Sequence, residues 1–124
     1  MGKETFHKKI KYDMTVKEMA DALKLRVFSA GEGMKNKVAG GYTSDLLSDV
    51  MGYADTGQVW ITLQTHKNVM AIASLKELSA VVLVKGFEPD EDTLALARQE
   101  QIPLLGTPDQ AFEFSGRLYR MLHP

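Results

Sequence analysis

Two short polar segments carry the residue types that could do chemistry. Residues 64–68 read Gln-Thr-His-Lys-Asn, and His66 could serve as a general acid or base or donate a hydrogen bond to an anion. Residues 39–45 hold the pair Gly40-Gly41 followed by a tyrosine and two hydroxyls, and paired glycines allow positive φ or a close backbone approach to a ligand. These segments therefore allow binding of a phosphate or carboxylate, or acid–base catalysis by His66.

A structural interpretation competes with the chemical one at both segments. Gly40-Gly41 can form a tight corner between a strand and a helix, with Ser44 as the N-cap of that helix. His66 can be an exposed imidazole in a polar helix cap. No serine, histidine and acid in the chain have a spacing that is diagnostic of nucleophilic catalysis.

Motifs for metal binding and nucleotide hydrolysis are missing from the sequence. There is no cysteine, and His7 and His123 lie near the chain ends, away from His66. Asp45 and Asp49 could share a helical face that holds magnesium, although a solvated acidic face is the commoner reason for such a pair. Neither G-x-x-x-x-G-K-[ST] nor a G-x-G-x-x-G after a strand occurs, so we expect no cofactor, no metal and no ATP hydrolysis.

Size and charge restrict the class of protein. A chain of 124 residues with 44% hydrophobic and 25% charged residues is typical of one soluble globular domain. The net charge of −1 argues against nucleic acid as a partner, because phosphate backbones attract basic surfaces. No segment approaches the roughly 20 apolar residues that span a bilayer, and the start lacks the apolar core of a signal peptide. We expect no membrane partner and a cytoplasmic location.

The beginning of the chain divides into an arm and a helix. Residues 1–13 are basic and sparsely apolar, and we interpret them as a flexible N-terminal arm before a single domain over residues 14–124. At Thr15 the pattern T-x-x-E, completed by Glu18, is a capping box and predicts a helix that ends near Lys24. Residues 25–28 can then form a short strand.

The rest of the chain repeats a strand, a polar loop and a helix. Apolar runs begin near Val38, Val59, Val81 and Pro103, at spacings of 21, 22 and 22 residues. Continuous apolar runs such as residues 80–84 suit strands that are covered on both faces. We predict an α/β fold, a single domain whose mostly parallel sheet consists of successive βα units with helices on both faces. Thr107 is expected to cap the last helix.

The loops that follow parallel strands lie on one edge of a sheet, where α/β proteins bind their ligands. Each loop also ends at a helix N-terminus, which favours an anion. A corner is the favoured role of the glycine pair; if the pair instead approaches a ligand, its amides and those of residues 65–67 should converge on one anion. The candidate ligand-binding residues all lie in these loops and are Gly40, Gly41, Tyr42, Ser44, Asp45, Thr65, His66, Lys67, Asn68 and Thr107.

Two predicted helices are apolar on more than one face. Residues 69–75 contain no charge, and the last helix has a second apolar line. Such a helix either lies between the sheet and other elements or meets a second copy of the chain. We predict a homodimer whose interface includes Val69, Ile72, Ala73, Phe114 and Leu118.

Several stretches together resemble a known family. They are GGYTSDLLSDVM, WITLQTHKNVMAIASLKEL and the run from Glu88 to Pro108 with its acidic helix start. These stretches resemble the DRTGG-type domain, which is similar to the N-terminal domain of HPr kinase/phosphorylase, over roughly residues 15–122. The naming motif corresponds here to residues 36–41, of which the glycine pair is retained. The resemblance implies an α/β regulatory or accessory domain without kinase activity, because kinase chemistry belongs to a separate P-loop domain.

These observations predict a non-catalytic regulatory or accessory module. It would bind a partner protein or a small anionic ligand, with nucleotides as one class, through the strand-to-helix loops. The alternative is a small enzyme that uses His66 as an acid or base in the same cleft. An enzyme should bring His66, Asp45 and the glycine pair into one concave pocket, whereas an interaction module should present a flat apolar surface.

Overall fold

The computed structural model describes residues 13–124, so the predicted arm lies outside the described residues apart from Asp13. Within them, the strands are β1 (Arg26–Ser29), β2 (Gly40–Thr43), β3 (Gln58–Thr62), β4 (Ala80–Leu83) and β5 (Leu104–Gly106). The α-helices are α1 (Val16–Ala22), α2 (Leu47–Tyr53), α3 (Asn68–Leu75), α4 (Glu91–Glu100) and α5 (Ala111–Leu122). A single 3-10 turn covers Glu32–Lys35. No helix in this part of the chain is long and apolar enough to cross a membrane.

The strands form one sheet in the order β1-β5-β4-β3-β2. Strands β2 to β5 are parallel neighbours in chain order, and β1 pairs antiparallel with β5. Right-handed crossovers that advance in one direction place their helices on one face, and α2, α3 and α4 lie together there. Helices α1 and α5 cover the other face. The predicted α/β fold, with a mostly parallel sheet and helices on both faces, is confirmed.

Alternate residues of the central strands fill two cores. Val59 and Ile61 of β3 pack with α1 and α5, while Trp60 between them packs with α2 and α3. Every residue of β4 is buried, which explains why that run of the sequence is continuously apolar.

Helix α1 begins as predicted, and a residue in the left-handed conformation follows its end. The Thr15 hydroxyl accepts a hydrogen bond from the Glu18 amide at 3.1 Å, and the Glu18 carboxylate accepts one from the Thr15 amide at 2.8 Å. After the helix, the Leu25 amide donates to the carbonyl of Ala20, and Lys24 has φ 57°. Glycine is the usual residue at this position, because it adopts positive φ without steric cost.

The glycine pair does not form a loop or a corner, and that prediction was wrong. Gly40 and Gly41 are the first residues of β2 and pair with Gln58 and Val59 of β3. Gly40 has φ 149°, a value that favours glycine. A Cβ on Gly41 would lie 3.4 Å from Cδ2 of Leu118, so its missing side chain lets α5 pack closely over this edge strand.

Two predicted helix caps were also wrong. The N-cap of α2 is Leu46, and Ser44 lies two residues earlier, where its Oγ accepts a hydrogen bond from the Leu46 amide at 3.2 Å. The N-cap of α5 is Gln110, and the Thr107 hydroxyl accepts from the Asp109 amide at 3.2 Å. In both places a hydroxyl residue forms a turn before the helix, and the local sequence does not distinguish this turn from a cap.

The five residues that were predicted at a dimer interface lie inside the core of the chain. Val69, Ile72 and Ala73 pack against one face of the sheet, and Phe114 and Leu118 pack against the other. None of them exposes more than 9% of its surface. The sequence interpretation is corrected here: α3 is apolar on several faces because it lies among the sheet, α2 and α4, and these side chains are not available to a second copy.

Candidate ligand-binding site at the carboxyl edge

The loops after β2, β3, β4 and β5 lie along one edge of the sheet, which we call the carboxyl edge. They comprise residues 44–46, 63–67, 84–90 and 107–110. Because β1 is antiparallel to β5, the start of β1 reaches the same edge, and Arg26 lies opposite Gly106. The carboxyl edge therefore contains a fifth segment, which the sequence analysis did not include.

Asp45 occupies the hydrogen-bond donors on the part of the carboxyl edge between β2 and β3. Its Oδ1 accepts hydrogen bonds from the Thr62 hydroxyl at 2.8 Å and from the Leu63 amide at 2.7 Å. The Gln64 side chain donates to the carbonyl of Asp45 at 2.8 Å. The Asp45 carboxylate thus already accepts the hydrogen bonds that a bound anion would need, and its negative charge repels an anionic ligand.

His66 does not join Asp45 and the glycine pair in a common pocket. Its side chain is 75% exposed, and its Nδ1 lies 3.9 Å from Oδ2 of Asp90 in the loop before α4. Asp45 is turned to the end of β3, and the glycines lie within β2. The convergence that an enzyme of the predicted kind requires is therefore not present among these residues.

The other candidates after β3 face α4. The Thr65 carbonyl accepts a hydrogen bond from the Thr93 hydroxyl of α4 at 2.7 Å, which holds this loop against that helix. Lys67 and Asn68 are exposed and line a shallow groove between α3 and α4. The groove carries the acid Asp92 beside Lys67, so its charges balance and it offers little attraction for an anion.

Tyr42 and Asp49 form a local pair at the start of α2. The Tyr42 hydroxyl donates to Oδ2 of Asp49 at 2.9 Å. Partial burial, this hydrogen bond and the negative charge of Asp49 raise the pKa of Tyr42 above its ordinary value of 10.0. Asp45 and Asp49 are thus engaged with different partners and do not share a face for a cation. No group of three or more His, Asp or Glu side chains within residues 13–124 is placed to hold a metal ion.

The raised pKa of Tyr42 predicts a loss of stability at alkaline pH. A group with a higher pKa in the folded state contributes stability that is complete below the unfolded pKa and is lost as the pH rises through the folded pKa. The free energy of unfolding should therefore fall above about pH 10, the ordinary tyrosine pKa. Tyr42→Phe should weaken this decline compared with the wild-type chain. The free energy of unfolding is measured from urea melts at several alkaline pH values. If it falls as steeply with pH in Tyr42→Phe as in the wild-type chain, the assignment to Tyr42 is contradicted.

A cleft at the end of β5 has cations and aromatic rings in its walls. We call it the β5 cleft, and it encloses about 250 Å³. Strand β1 supplies one wall and the loop after β4 the other, because β5 lies between β1 and β4. Gly106 lies at the end of β5 between these walls, and the Phe28 ring packs against it, since a Cβ on Gly106 would lie 2.6 Å from Cε2 of Phe28. The lining residues include no acid and are Lys24, Arg26, Phe28, Gly86, Phe87, Gly106, Thr107 and Pro108.

Arg26 is held at the β5 cleft by two partners. Its guanidinium carbon lies 4.6 Å from the centroid of the Phe28 ring, and its Nη1 lies 2.9 Å from Oε2 of Glu88. Both members of this ion pair are 63% exposed, so the pair stabilises the fold little and remains accessible to a solute. Lys24 makes no ion pair with any residue of 13–124.

A turn with unusual backbone angles carries Phe87. The Phe87 amide donates to the carbonyl of Val84 at 3.2 Å, and Lys85 and Gly86 between them have φ values of 62° and 72°. Positive φ at both central residues is typical of a type I′ turn. For a lysine this conformation costs on the order of 1 kcal/mol. Lys24 and Lys85 are two of the four non-glycine residues with positive φ in the described part of the chain, and the other two, Glu77 and Gln101, follow α3 and end α4.

Only one of the ten predicted ligand-binding residues, Thr107, lines the β5 cleft. Sequence reasoning missed Lys24, Arg26, Phe28 and Phe87, because the antiparallel pairing of β1 with β5 joins segments that are distant in the sequence. The position of Lys24 after a helix is not a local signal for the site, because Glu77 and Gln101 adopt the same positive φ at the ends of α3 and α4.

The fold and the β5 cleft define an α/β domain with a small basic cavity at the carboxyl edge of its sheet. The chain matches the DRTGG domain family over residues 18–121 and belongs to that family. None of the curated proteins compared with the chain matched it.

A solved structure similar to this chain contains the CBS and DRTGG domains of the regulatory region of Clostridium perfringens pyrophosphatase, complexed with its activator, diadenosine tetraphosphate. The TM-score is 0.68 and the sequence identity 17%. The alignment covers 87% of this chain but only 46% of that chain. At this identity, the similarity establishes the shared fold.

Proposed function

We propose that the chain is a non-catalytic regulatory or accessory module that binds a small anionic ligand in the β5 cleft. The observation that carries the proposal is a cavity lined by two cations, Lys24 and Arg26, and by no acid. The cleft lies at the carboxyl edge, where ligands of α/β sheets bind. The nucleotide activator in the pyrophosphatase regulatory region supports nucleotides as the first ligands to test.

The expected affinity is low. Each exposed cation contributes about 0.2–1 kcal/mol to an ion pair with a ligand. A contact between aromatic rings adds about 0.5–1.5 kcal/mol. The sum is at most about 3.5 kcal/mol, which corresponds to a dissociation constant of a few millimolar or weaker. Such a site would respond to an abundant metabolite and not to a trace signal.

Amide NMR titration with inorganic phosphate, AMP and ATP tests the site. We expect concentration-dependent shifts at Gly86, Gly106 and Thr107, because they line the β5 cleft. Arg26→Gln should weaken binding about fivefold, the upper end for one exposed ion pair. Lys35→Gln, which removes an exposed charge outside the cleft, should leave it unchanged. Shifts confined to Asp45 and His66, or no saturable shift with any probe, would refute the proposal.

A second copy of the chain or a partner protein is a further proposed partner. Phe112 is 84% exposed and Tyr119 51% exposed on α5, and their spacing of seven residues places them on one helix face. Tyr53 of α2 is 74% exposed. We propose that a homodimer would use these side chains in place of the buried ones. We also propose a cytoplasmic location and a relationship to the N-terminal domain of HPr kinase/phosphorylase.

A further inference from the structure

We infer that the β5 cleft recognises a ligand that joins a phosphate to a flat aromatic ring, as a nucleoside monophosphate does. We further infer that this phosphate replaces the Glu88 carboxylate on Arg26. The inference rests on the proposed function and specifies its ligand.

The lining of the cleft divides into an apolar part and a charged part. Phe28 and Phe87 contribute rings from the two walls, and the Phe28 ring packs on Gly106, which has no side chain to displace it. A flat aromatic ring can stack on or contact the edges of such aromatic walls. Lys24 and Arg26 supply the positive charge for a phosphate attached to that ring.

The size of the cavity limits the ligand to one ring system. Sites for drug-sized molecules usually enclose about 300–1,000 Å³. The β5 cleft encloses about 250 Å³, which suits one base and leaves the sugar and phosphate near the cations at the mouth. A second base would remain outside the cleft.

Glu88 is an internal competitor for Arg26. Its carboxylate forms a single hydrogen-bonded contact with Nη1 at 2.9 Å, and both side chains are 63% exposed. A phosphate carries more negative charge than a carboxylate and can accept two parallel hydrogen bonds from a guanidinium. Exchange of Glu88 for phosphate on Arg26 is therefore favourable. It also releases Glu88 from its contact across the cleft, between the loop after β4 and the start of β1.

Lys24 supplies a second cation to the wall of the β5 cleft. It is exposed and unpaired among residues 13–124, and it lies at φ 57° in a helix-terminating motif that favours glycine. For folding alone, glycine would be better here. The same left-handed conformation follows α3 at Glu77 and α4 at Gln101, so it is the way these helices end, and the exposed charge of Lys24 on the cleft wall is what would attract a phosphate.

Calorimetric titration with AMP, ribose 5-phosphate and adenosine separates the ring from the phosphate. We expect AMP to bind at least about tenfold more tightly than either fragment, because each fragment loses one half of the contacts. Phe87→Ala should reduce this advantage over ribose 5-phosphate without changing the affinity for ribose 5-phosphate. Equal affinities for AMP and ribose 5-phosphate would overturn the inference.

Two charge variants test the exchange on Arg26 and the role of Lys24. Glu88→Gln should tighten AMP binding about two- to fivefold, the range for one exposed ion pair, whereas Glu113→Gln on α5 makes the same charge change and should have no effect. Lys24→Gly should weaken AMP binding about threefold and raise the melting temperature by about 3 °C. No tightening by Glu88→Gln, or unchanged AMP affinity in Lys24→Gly, would overturn the inference.

Failure of the inference and failure of the proposed function give different results. If no phosphorylated probe binds the wild-type chain, the proposed function fails and the inference fails with it. If phosphate and AMP bind alike in the β5 cleft and Glu88→Gln changes nothing, the anion site stands and the inference alone is refuted.

Discussion

Phe114→Asp should unfold the domain, whereas Phe112→Asp should change the free energy of unfolding by less than about 0.5 kcal/mol. Phe114 is completely buried beneath α5, and its ring packs in the core with Val59 and Ile61 of β3. Loss of a buried phenylalanine side chain alone costs about 3–5 kcal/mol, and an unpaired carboxylate in its place adds a desolvation cost. Because small domains are stable by only about 5–15 kcal/mol, little folded protein should remain.

The two substitutions form a matched pair on one helix. Both replace phenylalanine by aspartate, but Phe112 is 84% exposed and Phe114 is 0% exposed. Trp60 is the only tryptophan and is fully buried, so its fluorescence in urea melts reports the unfolding of the core. A cooperative melt of Phe114→Asp at the wild-type midpoint would show that α5 does not pack as described.

The same two substitutions also allow dimer formation to be tested separately from folding. Sedimentation of the folded Phe112→Asp variant tests the proposed homodimer without disturbing the core. If the wild-type chain is a dimer through α5, this variant should be a monomer at tens of micromolar. A dimer of unchanged affinity would exclude the exposed face of α5 as the interface.

Asp45→Ala should lower the free energy of unfolding by about 2 kcal/mol, because it removes a charged acceptor from two donors. One donor, the Thr62 hydroxyl, belongs to a residue that is 1% exposed, so water replaces the lost acceptor poorly. The other is the Leu63 amide at the end of β3. The loop after β2 then stays attached to β3 through other hydrogen bonds, among them the one from Trp60 to the carbonyl of Ser44 at 2.8 Å.

Asp45→Asn is the control for this substitution. The asparagine side chain keeps an oxygen that can accept both hydrogen bonds, and it loses only the negative charge. Its stability should therefore be close to that of the wild-type chain. If Asp45→Ala melts at the wild-type midpoint, Asp45 is not a structural residue, and its role as a candidate for binding is restored.

Local sequence patterns predicted an element correctly where the interactions that form it join residues close in the sequence. The capping box of Thr15 and Glu18 predicted the start of α1, because its hydrogen bonds join residues three positions apart. The continuously apolar run of β4 predicted a strand that is buried on both faces. The regular spacing of strand-like runs predicted a parallel sheet, since each parallel crossover needs a helix between two strands.

Local patterns thus predicted the fold class, the order of the elements and the four strand-to-helix loops of the carboxyl edge. The role of each part of that edge depends on contacts between distant segments. The glycine pair lies within β2 beneath α5, and Asp45 occupies the donors after β3. The antiparallel pairing of β1 with β5 brings Arg26 to Gly106 and creates the β5 cleft. Strand pairing between distant segments depends on how the whole core packs, and no local spacing of residues records it.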